Sequence, residues 1–389
     1  MNIKELAEQL EPYIVERRRE YHQYPETSFN EVETTKRLKR DLEEMGLEPE
    51  LFQGVTGMTA TICGGKPGKT IALRSDIDAL LVKEETGLPF ASENGSMHAC
   101  GHDNHMAMLL GAAKILLQVK DELKGNVKLI FQPAEEVAMG AKAAIERGAM
   151  DNVDAVAGLH VWGGLEEGKI NFQPGNRMAG CDTFQIHIKG FSAHGSEPQN
   201  GIDAIAAAAN VIMGLQTYVS RRNTPLNPLV ITMGTIQGGT RFNTIANKVE
   251  IEGTVRTFDR ELQKRLPEEL RQMAKNAAAV LGATAELDYQ YMTPPVLNLD
   301  KKLNTIAGNA AVKLFGEAVY KDMEPVMGSE DFSFYGDKVP SIFGFLGTRN
   351  EKEGRAFSNH NEKYDMAEKC LKMGSAVMAQ LAIDYLEEA

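Results

Sequence analysis

A short stretch in the first third of the chain gathers side chains that bind metal ions. In "GSMHACGHDNHMAM", residues 95–108, His98, Cys100, His102 and His105 fall within eight positions. The whole chain of 389 residues holds only eight histidines and four cysteines. Imidazole and thiolate bind borderline-soft divalent cations, so this cluster raises the hypothesis of a metal site.

Further candidate side chains follow predicted strands, where the ligand sites of open α/β sheets gather. They are Asp76, Asp78, Glu135, Glu136, His160 and His360. Each has an ordinary alternative alone, because a single histidine is more often structural and paired acids usually lie on the surface. Glu135 and Glu136 nevertheless end an apolar strand, where a surface pair is not expected. Neighbours on an extended segment point in opposite directions, so we expect different roles for these two.

The remaining histidines, cysteines and basic runs have simpler interpretations. His22, His105 and His187 are interpreted as structural, and His98 as ambiguous. Cys63, Cys181 and Cys370 are interpreted as small buried hydrophobic residues, and "VERRRE" (15–20) as a solvated helix face.

The elements that must position the candidate site alternate between helix and strand over the first 160 residues. Apolar periodicity predicts helices near 3–22, 30–45, 105–120 and 139–148, and strands at "TATIC", "TIALRSD", "NVKLIFQ" and "DAVAGLH". Strands that are almost wholly apolar and separated by helices are buried on both faces. This pattern indicates an α/β domain with a mostly parallel sheet.

From Cys181 the pattern changes to strands with one polar face, as in "CDTFQIHIKG". The predicted order is β-α-β-β-α-β, which is the ferredoxin-like arrangement. After "TPP" at 293–295 the chain returns to helix, apolar strand and helix. We therefore expect a catalytic domain of residues 1–180 and 296–389, with an inserted domain of residues 181–295 and hinges near 178–182 and 293–296.

Composition limits the classes of function. A chain of this length exceeds one hydrophobic core, which favours two domains. Its net charge of -12 argues against nucleic acid or an anionic membrane as a partner. Four scattered cysteines, no apolar run of about 18 residues and a charged N-terminus lead us to expect a cytoplasmic protein.

Motifs along nearly the whole chain resemble those of the aminoacylase and carboxypeptidase G superfamily of co-catalytic metallopeptidases. They include "LRSDIDALLV", "HACGHDNHMAMLLGAA", "LIFQPAEEVAMGAKAAIE", "GLHVW", "KGFSAHGSEPQNGIDAIAAAA", "GGTRFNTIANKVEIEGTVRTF", "VMGSEDFSFY" and "FSNHNEKYDM". The sequence is most similar to the amidohydrolase branch, which includes hippurate hydrolases and auxin-conjugate hydrolases. The resemblance implies two divalent metal ions per subunit, with manganese, zinc, cobalt or nickel all compatible with a cysteine ligand.

The resemblance also implies roles for individual residues. Cys100 would bridge the two ions, with the remaining ligands supplied by His102, Glu136, His160 and His360. Glu135 would be the general base. Asp78 would orient the metal ligands, and Asp103 is a weaker candidate for the same task.

In the inserted domain, the resemblance implies residues that reach the substrate as a lid closes. His194 would stabilise the oxyanion, commonly from the other subunit of a dimer. Asn243 and Arg256 would bind the substrate. Outside the inserted domain, the backbone at Gly328 and Ser329 is a weaker candidate for binding the substrate carboxylate. An exposed edge strand of this domain also favours a homodimer.

The function expected from these residues is hydrolysis of the amide bond of N-acyl amino acids such as acetyl or benzoyl derivatives. Dipeptides or aminobenzoyl-glutamate are alternative substrates for the same site. A cysteine hydrolase with Cys100 as nucleophile and a non-catalytic metal-binding protein are competing interpretations.

Overall fold

A computed structural model describes residues 2–388 of the chain, which divide into two compact units. Unit 1 comprises the residues up to 177, residues 297–324 and the residues from 331 on. Unit 2 comprises residues 178–296 and 325–330. Sequence interpretation left the segment 325–330 in the catalytic domain, whereas its contacts place it with unit 2.

Unit 1 is built on a seven-stranded sheet of order β1-β2-β4-β3-β5-β13-β6. Its four inner strands, β4, β3, β5 and β13, run parallel, and the outer pairings are antiparallel. The bounds are β1 Glu50–Leu51, β2 Met58–Cys63, β3 Lys66–Asp76, β4 Lys124–Gln132, β5 Ala155–Glu166, β6 Ile170–Asn171 and β13 Ser341–Arg349. The predicted mostly parallel α/β sheet is confirmed.

Helices of unit 1 bury apolar side chains against this sheet and against each other. Their bounds are α1 Ile3–Gln23, α2 Val32–Glu44, α3 His102–Val119, α4 Gly140–Glu146, α7 Lys301–Phe315 and α8 Leu371–Glu388. Helix α3 is buried along most of its length, as expected of an element at the centre of the core. It begins at His102, three residues before its predicted start.

Unit 2 has the predicted β-α-β-β-α-β order, with strands β8 to β11 and helices α5 and α6. The bounds are β8 Gly180–Lys189, α5 Ala204–Arg221, β9 Leu229–Gly238, β10 Lys248–Thr257, α6 Arg260–Ala279 and β11 Thr284–Thr293. All pairings in the sheet, of order β11-β8-β10-β9, are antiparallel. Alternate residues such as Phe184, Ile186 and Ile188 face the two helices and form a separate core. Aspartates at positions 203 and 259 cap the helices by accepting backbone N–H bonds.

Two short strands, β7 (Gly175–Met178) and β12 (Val296–Asn298), pair with each other.

None of the helices within residues 2–388 is long and apolar enough to cross a membrane.

Two expectations about side-chain exposure are wrong. Cys63 is exposed, because it stands at the end of β2 with its side chain directed away from the core. Arg18, in "VERRRE", is not solvated: it is buried, and its guanidinium donates to Asp103 at 2.9 Å and to Asp365 at 2.9 Å. Ion pairing to carboxylates permits this burial, which the sequence pattern alone did not indicate.

Candidate metal centre

The loop before α3 brings Cys100 and His102 onto one side of the chain. Gly101 between them has φ of +97°, in the left-handed region, and a Cβ at this position would meet the Val161 side chain at 2.4 Å. Glycine is therefore required for the sharp turn that separates the two candidate ligands by a single residue.

Cys100, His102 and His160 form a first group whose ligand atoms all lie within 4.8 Å of one another. The Nε2 atom of His160 lies 3.4 Å from the sulfur of Cys100, while its Nδ1 donates to the carbonyl of Val161 at 2.6 Å. This bond fixes the tautomer in which Nε2 carries a lone pair. Burial, followed by repulsion from His105, holds the pKa of His160 well below its usual range, so the ring is neutral.

His102 is oriented in the same way by Asp78. Its Nδ1 donates to the backbone carbonyl of Asp78 at 2.8 Å, and its Nε2 is buried with no hydrogen-bond partner among the described residues. A buried ring nitrogen without a partner is costly unless a cation or other group meets it. His102 thus directs Nε2 toward the centre of the group, where loss of its proton would free a lone pair for a cation.

A second group consists of Cys100, Glu136 and His360, whose ligand atoms also lie within 4.8 Å of one another. The Oε1 atom of Glu136 is buried and accepts no hydrogen bond within residues 2–388. His360 has φ of +70°, unusual for a residue other than glycine, and its backbone N–H donates to Ala99 at 2.8 Å. Both groups contain Cys100, so the thiol is the point at which they meet.

Asp78 links the two groups. Its backbone carbonyl holds His102, while its carboxylate accepts the backbone N–H of Glu136 at 3.1 Å and the hydroxyl of Ser28 at 2.6 Å. Burial raises the pKa of Asp78, but the bonds from His102 and Ser28 outweigh this effect, and the net pKa is lowered. The Asp78 carboxylate is therefore ionised, and Asp78 fixes the position of His102 relative to Glu136.

The two adjacent glutamates do not lie on an extended segment, contrary to expectation. Glu135–Val137 forms a 3-10 turn, flanked by Ala134 at φ of +53° and Ala138 at φ of +58°. Because of this turn, the carboxylates of Glu135 and Glu136 both lie within 4.8 Å of a ring nitrogen of His102. A difference between the roles of Glu135 and Glu136 therefore cannot be explained by side chains that point to opposite faces of a strand.

Glu31 holds this turn from a distant part of the chain. Its buried carboxylate accepts the backbone N–H of Ala134 at 2.8 Å and the hydroxyl of Thr56. Sequence interpretation missed Glu31. No local pattern indicates it, because its partner lies 103 residues away.

Asp76 and His105 form a further possible group with His102, but their ligand atoms are already engaged. Asp76 accepts from Arg74 at 2.6 Å and from His105 at 2.5 Å. The other ring nitrogen of His105 accepts the backbone N–H of Val161 at 2.9 Å. These contacts support the interpretation of His105 as a structural residue. It lies directly beside the candidate metal ligands.

His22 and Asp103 belong to a buried network behind the site. The carboxylate of Asp103 accepts from Arg18 and from His22, both at 2.9 Å, and the other nitrogen of His22 lies 3.0 Å from Glu84. These contacts anchor the first turn of α3, in which Asp103 follows His102. His98 is buried, and neither of its ring nitrogens meets a partner within the described part of the chain.

Acidic side chains around His102 stabilise positive charge at this centre. Burial lowers the pKa of His102, but Asp76, Asp78 and Glu136 outweigh burial and raise it to about 10. Burial also raises the pKa of Glu136 to about 7, against the attraction of His102. A thiol, imidazoles and carboxylates around a centre that attracts positive charge are a donor set suited to divalent metals.

The other predicted site residues lie in unit 2. His194 is exposed, and its Nδ1 lies 2.7 Å from the hydroxyl of Ser196. Its loop pairs with the segment of Asn243, whose carbonyl accepts the N–H of Gly195 at 2.8 Å. Arg256 donates to the carbonyl of Met327 at 2.9 Å, so the alternative pairing with Glu250 or Glu252 is not observed.

Known proteins with similar sequences span almost the full chain. An N-acetylcysteine deacetylase from Bacillus subtilis is 43% identical over 96% of this chain and 97% of its own length. The IAA-amino acid hydrolase ILR1-like 4 from Arabidopsis thaliana is 39% identical over 97% of this chain and 86% of its own length.

Among solved structures, the YXEP protein of Bacillus subtilis is described as a dinuclear metal-binding peptidase of the M20 family. It is 39% identical, has a TM-score of 0.87, and the match covers 98% of this chain and 100% of that one. The sequence pattern of Peptidase family M20/M25/M40 matches residues 72–384. The chain therefore belongs to Peptidase family M20/M25/M40.

Proposed function

We propose that this protein is a metal-dependent amidohydrolase that cleaves the amide bond of N-acyl amino acids, releasing a carboxylic acid and a free amino acid. The observation that carries the proposal is the presence of Cys100 in two three-residue groups of metal-ligating atoms. A thiolate shared between two groups is suited to bridging two cations. The similarity to a deacetylase of N-acetylcysteine and a hydrolase of IAA-amino acids supports the substrate class.

Two divalent ions would be held by the two groups, one by Cys100, His102 and His160 and the other by Cys100, Glu136 and His360. The orphaned buried atoms His102 Nε2 and Glu136 Oε1 fit this role, because coordination would compensate their lost hydration. Manganese, zinc, cobalt and nickel are all compatible with these donors.

Bound divalent ions would polarise the amide carbonyl and lower the pKa of water toward about 7. Glu135 lies beside this centre and is proposed to accept the proton of the attacking water, then return it to the leaving nitrogen. Asp78 keeps the ring of His102 and the backbone of Glu136 in position while the proton moves.

Residues of unit 2 are proposed to bind the substrate, and their spacing supports a role in a second copy of the chain. Lys189 and Lys248 are register partners at one end of the sheet, and Cys181 and Arg256 are partners at the other end, eight residues earlier in β8. At about 3.3 Å per residue, this places the two ends about 26 Å apart. His194 follows the Lys189 end, so His194 and Arg256 of one copy are too far apart to contact one small substrate.

We therefore propose a homodimer in which His194 of one copy acts at the metal centre of the other. Strand β9 is the edge suited to pairing, because "LVITMGTIQG" has no charged residue and no proline. The opposite edge, β11, carries Glu286 and Asp288. Exposed apolar side chains on β9 and the neighbouring α5, Ile236 and Met213, also favour association through this edge.

The activity is tested by assaying the purified protein on N-acetyl, N-benzoyl and indole-acetyl amino acids and on dipeptides, with metal content measured by elemental analysis. We expect two ions per chain, turnover of N-acyl amino acids, loss of activity with a chelator and recovery on adding back the metal. A Cys63→Ser variant is the control, because Cys63 is an exposed thiol outside both groups.

Two results would contradict the proposal. Activity that survives complete removal of metal but is abolished by alkylation of Cys100 would indicate a cysteine hydrolase. Two bound ions without turnover of any substrate in the panel would indicate a metal-binding protein that is not an enzyme.

A further inference from the structure

Arg177 is a buried cation whose hydrogen bonds are incomplete. Its side chain has 0% exposed surface. Nη2 donates to the side-chain oxygen of Asn171 at 2.5 Å, while Nε and Nη1 find no acceptor among residues 2–388. The guanidinium carbon lies 5.1 Å from the centre of the Phe345 ring. None of these contacts supplies a negative charge.

Other buried arginines of unit 1 show what Arg177 lacks. Arg18 is paired with Asp103, Asp365 and Glu368. Arg74 is paired with Asp76 and Asp331.

Burial lowers the pKa of Arg177 to about 10, so it is still protonated at neutral pH. A buried charge without a counter-charge is strongly unfavourable, and each buried donor without an acceptor adds to that cost. The surroundings of Arg177 are therefore suited to an anion.

Strand registers place this position relative to the candidate metal ligands. Phe345 on β13 is the register partner of His160 on β5 and of Asn171 on β6, so the three side chains share one face of the sheet. Two strand spacings separate His160 from Asn171, which is about 10 Å. The side chains of His160, Phe345 and Asn171 thus form a row across three strands, and the Arg177 guanidinium lies at the Asn171 end of it.

We propose that Arg177 binds a halide-sized monoanion such as chloride. A single positive charge requires a single negative charge, and an ion of this size can occupy a position with no exposed surface. A carboxylate carried by a substrate has the same charge but requires contact with solvent, which Arg177 does not have. The bound ion completes the hydrogen bonds of the guanidinium and stabilises the packing of Asn171 and Phe345 beside His160.

Thermal unfolding of the metal-loaded protein tests this proposal in solution. The midpoint is measured while chloride replaces gluconate, a much larger anion, at constant ionic strength. We expect the midpoint to rise and then saturate with chloride, because a ligand that binds only the folded state stabilises it. Arg177→Met should abolish this response. Arg349→Met is the control, because Arg349 is an exposed arginine at the end of β13, the strand that carries Phe345, and is paired with Glu351; this variant should keep the response.

Bromide diffraction provides a second test without a substitution, in case Arg177→Met does not fold. Crystals of the metal-loaded protein soaked in bromide should show an anomalous peak at hydrogen-bond distance from Nε or Nη1 of Arg177. A water at that position without an anomalous signal would overturn the proposal. An unchanged chloride response in Arg177→Met would also overturn it. So would a bromide peak with no saturable effect of chloride in solution, because that result would indicate an ion bound at crystal concentration only.

Discussion

Replacing Glu31 by alanine should reduce turnover far more than it reduces stability, because Glu31 holds the turn that carries Glu135 and Glu136. The substitution removes the acceptor of the Ala134 N–H, a bond of 2.8 Å in the interior. Leaving that donor unpaired costs about 1–3 kcal/mol. Ala134 is strained by its left-handed backbone, and its relaxation returns about 1–2 kcal/mol.

The net loss of stability is therefore small, but the relaxation itself moves the turn that carries Glu135, the proposed general base. A displacement of about 1 Å in a catalytic group lowers turnover by about 10²-fold. We expect a loss of kcat of this order in Glu31→Ala, together with a reduced content of the metal held by Glu136. Steady-state kinetics on an N-acetyl amino acid and elemental analysis measure the two effects.

Glu26→Ala is a matched control. Glu26 also accepts backbone N–H bonds near the start of α2, from Glu33 at 3.2 Å and Thr34 at 2.7 Å, but its carboxylate does not contact the turn of Glu135 and Glu136. Loss of such a helix-terminal acceptor costs about 0.5–2 kcal/mol, comparable to the net loss expected for Glu31→Ala. If the two variants lose stability equally and turn over at the same rate, Glu31 has no role in positioning the turn.

Glu31→Gln separates geometry from charge. The amide oxygen can still accept from Ala134, so turnover should stay near that of the parent. Burial raises the pKa of Glu31 from 4.5 to about 7, against the bond from Thr56. Because the pKa is higher in the folded state, that state binds more protons than the unfolded state between pH 4.5 and about 7. The contribution of Glu31 to stability is therefore present below pH 4.5 and is lost as the pH rises through about 7.

This loss amounts to about 3 kcal/mol, at about 1.36 kcal/mol per pKa unit. Denaturant unfolding of the chelated protein between pH 4 and 8 should show this slope in the parent and a flatter profile in Glu31→Gln. Equal slopes in both proteins would refute the assigned titration.

Three further predictions concern the proposed ligands and the second unit. Glu135→Gln should bind both metals and lose turnover by about 10²-fold or more, whereas Glu136→Gln should lose one metal; a metal deficit in Glu135→Gln would reverse the two roles. In the metal-loaded protein, thiol labelling followed by mass spectrometry should modify Cys63, and chelation should add Cys100; Cys100 labelling that does not respond to chelation argues against its role as a ligand. His194→Ala should lower turnover with unchanged metal content, in a protein that sediments as a dimer; an active monomer would exclude action from a second copy.

Regular elements and much of the candidate site could be predicted from the sequence, because periodicity and local motifs carry that information. Cys100 and His102 are recognisable together because one glycine separates them within a metal-binding composition. The alternation of "CDTFQIHIKG" indicated the half-exposed β8 for the same reason. His160 was expected at the end of its strand, but β5 continues to Glu166.

The supporting contacts could not be predicted, because they join positions far apart in the chain. Arg18 meets Asp103 across 85 residues and His22 meets the same carboxylate across 81 residues. Within a short window, Arg18 is one more charge in a basic run. The conformation of residues 134–138 was missed for a different reason: alanine gives no signal of a left-handed backbone, and contacts such as that from Glu31 stabilise it.

The charges around the centre connect the proposed metal binding to the fold. His102 has its pKa raised to about 10 and Glu136 to about 7, so both tend to hold protons near neutral pH. Asp76 and Asp78 stay ionised beside them, with pKa values below the usual range. Divalent ions would displace those protons, because His102 and Glu136 are proposed ligands and must be deprotonated to bind. The affinity for metal should consequently rise with pH, while the fixed negative charge of Asp76 and Asp78 remains to balance the ions.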